Sequence, residues 1–301
     1  MTASPFLYTT VNMLSTSDYE SSYTIWSTLS LISFSAAILL FCHLLGFSMT
    51  ASLAIFVPCL FWMDPFYSDL RVANINCIQL GLLALAYFLL SRDTKTVYLL
   101  SAGALIAMIA VLKPNLAPVS LLLLGAWLIR GQRRKFLLGL AGMAVGALFA
   151  FGVSSLFFGD MDIWFEWLDR LFKLVQVEMP ASAGNYDALR SLELTMGVQG
   201  QVALAMVVCA LTLGFLWWGR KSDGQSREQA PEVSRERELI EYAQLIGMGC
   251  LVQMMVSPLV WLHYYVLAIP MLIVAFRPWS RAPAHGVLGI ILHPPYYAPV
   301  R

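Results

Sequence analysis

The chain has 301 residues, of which 59% are hydrophobic and 12% charged, with a mean hydropathy of +0.71 and a formal net charge of +1. Soluble domains carry about 25% charged residues, so this composition describes a polytopic membrane protein. Near-neutral charge leaves no electrostatic footprint for a nucleic-acid partner.

No positively charged n-region with a cleavage site opens the chain, so no signal peptide is expected. In chain order, runs near the roughly 20 residues that a bilayer core requires lie at 24–45, 73–90, 136–157, 202–219 and 259–276. Shorter apolar runs at 51–63, 97–111, 116–130 and 239–256 bring the expected total to about nine spans, an all-α transmembrane bundle. Lys113-Pro114-Asn115 interrupts one apolar stretch, because proline cannot continue the helical ladder. It makes either a tight hairpin between two spans or a re-entrant kink. Segment 160–174 has amphipathic spacing (Ile163, Trp167, Leu171, Leu174) and is expected to lie in the interface as a helix. The five cysteines, Cys42, Cys59, Cys77, Cys209 and Cys250, all fall inside apolar runs. They read as small core residues.

Nine spans put the basic loops 91–96, 130–135, 220–238 and 277–281 on one face. With the tail, that face carries 14 of the 19 Lys and Arg. Basic loops face the cytoplasm, so the amino terminus, 64–72, 113–115 and the loop 158–201 face outward. That outer face carries 11 of the 18 acids, among them Asp18, Asp64 and Asp69. The expected organisation is a transmembrane domain over 1–276, with an extracytoplasmic loop at 158–201 and a solvated cytoplasmic linker at 220–238. A divergent tail follows at 277–301.

Candidate chemistry gathers on the outer face. The stretch Ser257-Pro258-Leu259-Val260-Trp261-Leu262-His263-Tyr264-Tyr265 places a titratable ring just inside a span, where such a group is costly and usually functional. Its plainer reading is an aromatic belt. A neutral His263 imidazole offers a hydrogen bond to a phosphate or a sugar hydroxyl, and Trp261 or Tyr264 offers a face for a sugar or a polyprenyl tail. Lys113 at the helix break is either a snorkelling anchor or a point charge for a lipid phosphate. Arg71, Arg170, Lys173 and Arg190 are the other outer cations that could share that task. Asn74 and Asn76, entering a span after Asp64 and Asp69, either cap and cross-link helices or hold a polar group of a substrate. Asn185 is either a turn residue or a ligand contact. His43 reads as a packed histidine. There is no His/Cys metal spacing, Walker loop, GxSxG or strand-borne GxGxxG. No cofactor and no metal are therefore expected.

Ser4-Pro5-Phe6-Leu7-Tyr8, Ile25-Trp26, Ala73-Asn74-Ile75-Asn76, Leu112-Lys113-Pro114-Asn115 and Ser257-Pro258-x-x-Trp261-x-His263-Tyr264, in this order, resemble the polyprenol-phosphate-mannose-dependent mannosyltransferases. These form glycosyltransferase family eighty-seven of the GT-C superfamily. The resemblance implies a GT-C-like bundle that transfers a hexose, mannose in the family, from a polyprenyl-phosphate donor to an envelope glycolipid or polysaccharide. The reaction would take place on the outer side of the plasma membrane. It implies contacts to the donor from Lys113, His263, Trp261, Tyr264, Asn74 and Asn76, with Asn185 as the match to an outer-loop asparagine. The family's catalytic aspartate precedes the first matching motif, so the chain reads as truncated at its N-terminus, and Asp18 is a weak substitute. A transporter or channel subunit and a non-catalytic envelope-assembly protein are the alternatives.

Overall fold

The computed structural model describes residues 3–92, 95–175, 231–256 and 260–280, all of whose regular elements are helical. Helix α1 (Pro5–Leu14) starts at Ser4, whose hydroxyl accepts from the Leu7 N–H at 3.1 Å and donates to the Leu112 carbonyl at 3.0 Å. Helix α2 (Tyr19–Leu44) is capped by Asp18 and α3 (Met49–Trp62) by Ser48. These are N-cap residues of the preferred type, satisfying amides that a helix leaves open. A 53° bend at Met63 separates α3 from α4 (Asp64–Arg71), with Pro65 in the first turn of α4. Helices α5 (Asn76–Ser91) and α6 (Thr96–Leu112) follow. A 3₁₀ turn (Pro114–Leu116) then leads into α7 (Ala117–Ile129). Helix α8 (Arg133–Phe158) ends at Gly159, which takes the left-handed conformation (φ 67°) that helix ends favour. Next come α9 (Ile163–Val175) and α10 (Pro231–Val256). A 3₁₀ segment (Leu262–Ala268) runs into α11 (Ile269–Ser280).

Two of these helices, α2 and α8, are long and apolar enough to cross a membrane alone, or three spans if the bent pair α3–α4 counts as one. Shorter apolar helices, among them α5 and α6, fill the remaining bundle. Packing sets how closely they approach. A Cβ at Gly142 or Gly146 of α8 would overlap the carbonyl oxygen of Leu100 or Ala104 of α6, and one at Gly103 would overlap that of Gly139. Glycines here bring two backbones into contact, the packing that replaces the hydrophobic drive between helices in lipid. Large side chains fill the centre: Phe34 stacks on Phe66 with centroids 4.2 Å apart, and Phe41 on Tyr87 at 4.9 Å. A second cluster takes Phe6, Trp26, Ile75, Leu112, Ala150, Trp164 and Trp167 from six neighbouring segments.

The bundle has two chemically distinct ends. At one, the amino-terminal half of α10 is bound to the rest by ion pairs: Glu236 with Arg277, Glu238 with Lys135 and Glu241 with Arg130. Arg235 donates to the Ser91 carbonyl, Tyr87 to that of Leu239, and Arg277 to that of Leu45. Two of the four basic loops, 130–135 and 277–281, thus meet on the acids of α10. Residues 231–238, expected to be solvated linker, belong to a helix because their alternating charges find partners there. Expected span 259–276 begins as 3₁₀ helix instead of α-helix. Pro270 has no N–H for the Val266 carbonyl, so the ladder is re-initiated at Ile269. Helix α9 lies where amphipathic spacing placed one, with Trp164 and Trp167 buried against the second cluster and Phe165 exposed. The expected span 202–219 and the tail from 281 onward lie outside the described residues.

Candidate active site

The opposite end is built on the α4–α5 connection. Past Arg71 the chain turns through Ala73, a non-glycine residue at φ 49°, so the tight turn carries strain typical of functional sites. The surroundings enforce it. The Asn74 N–H donates to the Asp69 carbonyl (3.0 Å), and α2 reaches over twice. Tyr23 donates to the Leu70 carbonyl (3.2 Å) and the Trp26 indole to the Asn74 carbonyl (3.1 Å).

This turn aims three side chains. Asn74 Oδ1 accepts from the Ile75 N–H (2.7 Å), which fixes the amide so that Nδ2 faces His263 Nε2 at 2.9 Å. An amide NH₂ only donates, so Nε2 accepts and the imidazole proton resides on Nδ1. Asn76 is fully buried and saturated. Its Nδ2 donates to Asp69 Oδ1 (3.0 Å) and to the His263 carbonyl (3.2 Å), and its Oδ1 accepts from Lys113 Nζ (2.9 Å). Asp69, also fully buried, spends its other oxygen on the Cys77 N–H (3.0 Å), closing an open amide at the start of α5. Lys113 sits at the extended break after α6, with Nζ 3.7 Å from the Tyr264 ring centroid, a cation–π distance. Tyr264 stacks on His263 at 5.1 Å. One buried acid and one half-buried base are thus balanced through a single amide, as paired charges in low dielectric require.

In front of this cluster lies a cleft of 570 Å³ lined by Ser68, Arg71, Val72, Asn74, Trp261, Leu262, His263 and Tyr264. A second cleft of 530 Å³ is lined by Tyr23, Asp64, Tyr67, Ser68, Leu70, Arg71 and Leu262. Both are within the ~300–1,000 Å³ of small-molecule sites. Among the described residues, no three His, Cys, Asp or Glu side chains gather closely enough to hold a metal ion.

Of the residues singled out from sequence, Arg71, Asn74, Trp261, His263 and Tyr264 line the first cleft, Trp261 being 40% exposed there. Asn76 and Lys113 stand behind them and line neither cleft. Asp18 is exposed and caps α2. Hydrogen bonds from the Ser21 hydroxyl and then its N–H hold the Asp18 carboxyl below the ordinary carboxylate range, which weakens it as a base. Asn185, Ser257 and Pro258 lie outside the described residues. Sequence reading missed the central position of Asp69. The available signal was a carboxylate seven residues before Asn76, across a helix break where only a turn fits.

A bundle with membrane-length apolar helices and a buried polar cluster behind an open cleft has the make-up of a membrane protein, with a cleft of small-molecule size. The chain belongs to glycosyltransferase family 87, whose model matches residues 2–235. It is a glycosyltransferase by family. That match contains Asp69, Asn74, Asn76 and Lys113 and ends before the His263 segment. Searches among curated proteins and among solved structures found no match.

Proposed function

We propose that the protein transfers a hexose, mannose, from a polyprenyl-phosphate-linked donor to an envelope glycolipid or polysaccharide acceptor. In this reading the nine-span bundle is GT-C-like, sits in the plasma membrane, and turns its cleft to the extracytoplasmic side. The observation that carries it is the cleft itself, where a fixed amide, an imidazole and a half-exposed indole converge at the bundle end remote from the basic cluster. Indole and tyrosine faces suit the apolar face of a sugar ring, and Asn74 and His263 suit its hydroxyls. Family membership supplies the reaction class, and the concentration of Arg and Lys at the far end supports the orientation.

The chemistry is a displacement. The acceptor hydroxyl oxygen bonds to the anomeric carbon, the bond from that carbon to the phosphate oxygen breaks, and the polyprenyl phosphate leaves with the electron pair. The hydroxyl proton passes to a base. Asp69 is not that base, since both its oxygens are engaged in the wall behind the cleft. His263 orients the sugar through its Asn74-fixed ring.

The test is sugar transfer from labelled polyprenyl-phosphate-mannose by membranes containing the protein. His263→Ala is expected to lower turnover tenfold or more, about 1.4 kcal/mol of transition-state stabilisation. Near-normal turnover in His263→Ala would remove it from the site.

A further inference from the structure

We infer that Arg71 grips the phosphate of the lipid-linked donor, and that Lys113 is a positioning residue which braces the wall of the cleft without touching the ligand. This rests on the polyprenyl-phosphate reading above. Of the outer cations that the sequence offers for that task, it chooses Arg71 over Lys113.

The first observation is what Lys113 already does. Its ammonium donates to Asn76 Oδ1 at 2.9 Å, lies 3.7 Å from the Tyr264 ring centroid, and lines neither cleft. Through Asn76 its charge is matched by the buried Asp69. A cation so engaged is spent: drawing it toward a ligand phosphate would leave the buried Asn76 Oδ1 without its donor and the Asp69 charge unmatched.

Arg71 is the converse. It is exposed at the end of α4, and its guanidinium makes no hydrogen bond or ion pair with any described residue. It lines both clefts, together with Ser68 and Leu262, so it stands where the two meet. The clefts differ in chemistry. The first carries Asn74, His263 and Trp261, suited to a sugar. The second carries Tyr23, Tyr67 and Leu70, suited to an isoprenoid chain, with Asp64 on its rim. A sugar phosphate esterified to a polyprenyl tail has its charge between those two parts. With the sugar in the first cleft and the tail in the second, the phosphate falls at their junction, against Arg71 and the Ser68 hydroxyl. A planar guanidinium offers two parallel N–H donors to phosphate oxygens, which Lys cannot. A bilayer phospholipid headgroup presents the same chemistry.

The experiment measures affinity for a short-chain polyprenyl phosphate and for the matching polyprenyl alcohol, with the chain in phosphatidylcholine nanodiscs. Wild type is expected to bind the phosphate at least tenfold tighter than the alcohol. Arg71→Gln should abolish that preference and leave affinity for the alcohol unchanged, a separation that misfolding would not produce. Arg71→Lys should restore it in part. Lys113→Gln should melt earlier yet keep the preference. Should Arg71→Gln retain the full preference, the Arg71 assignment is overturned while the donor class stands. Loss of the preference in a folded Lys113→Gln would overturn the bracing role. A wild type without preference would remove both the phosphate-linked donor and Arg71's part in holding it. Discs with phosphatidylglycerol identify the source: competition assigns the Arg71 site to bilayer headgroups, and undisturbed binding assigns it to the polyprenyl lipid.

Discussion

Asn76 carries more of the site than any other side chain, because one amide satisfies an acid, a base and a backbone carbonyl at once. Removing it leaves Asp69 and Lys113 facing each other across a gap, in surroundings where breaking a buried pair costs about 3–5 kcal/mol. Asn76→Ala is therefore expected to lower the thermal midpoint in detergent far more than Asp18→Ala, which deletes an exposed cap. Equal shifts would show that the cluster is not held as described. Asp69→Asn and Lys113→Met should be strongly non-additive, with a coupling of at least about 1 kcal/mol in a double-mutant cycle, since each removes the reason for the other. Additive losses would mean that Asn76 does not connect them. Asn74 and His263 stood out in the sequence, because a polar group beside an apolar run is visible without knowing its partner. Their mutual contact, across 189 positions, was not visible. Nor was the saturation of Lys113, which depends on what the fold brings to its ammonium.

At the scale of elements, α6 and α8 touch through backbone. Gly146→Leu puts a branched side chain where the Ala104 carbonyl already sits, and is expected to cost about 1–3 kcal/mol or more as overpacking. Gly152→Ala on the same helix meets nothing within 4 Å. It should be neutral or slightly stabilising, since alanine is the better helix former by about 1 kcal/mol. Thermal melts of the two variants check the pair, and a Gly146→Leu protein as stable as wild type would refute the close approach. Apolar runs announced the helices well, because length and hydropathy are local properties. The runs misled where a local property is overruled. Residues 231–238 read as solvated linker but are helix, since their acids Glu236 and Glu238 are met by Arg277 and Lys135 on distant segments. Run 259–276 read as one span, yet its turns ahead of Pro270 are 3₁₀, over Leu262–Ala268.

For the whole molecule, the claim is polarity along the bundle: acids and bases interlock at one end, and the cleft opens at the other. Ser17→Cys and Gln132→Cys, on a cysteine-free background, are expected to react with an impermeant maleimide from opposite sides of the membrane. Reaction of both from the same side would refute the placement of the two ends on opposite faces of the membrane. The most direct measurement is sugar transfer after the cleft has been blocked. Val72 is exposed and lines the cleft beside Asn74, so Val72→Cys carrying a bulky maleimide should lose transfer tenfold or more, while Gln132→Cys carrying the same adduct should keep it. Full turnover with the adduct at position 72 would contradict the placement of the reaction in this cleft.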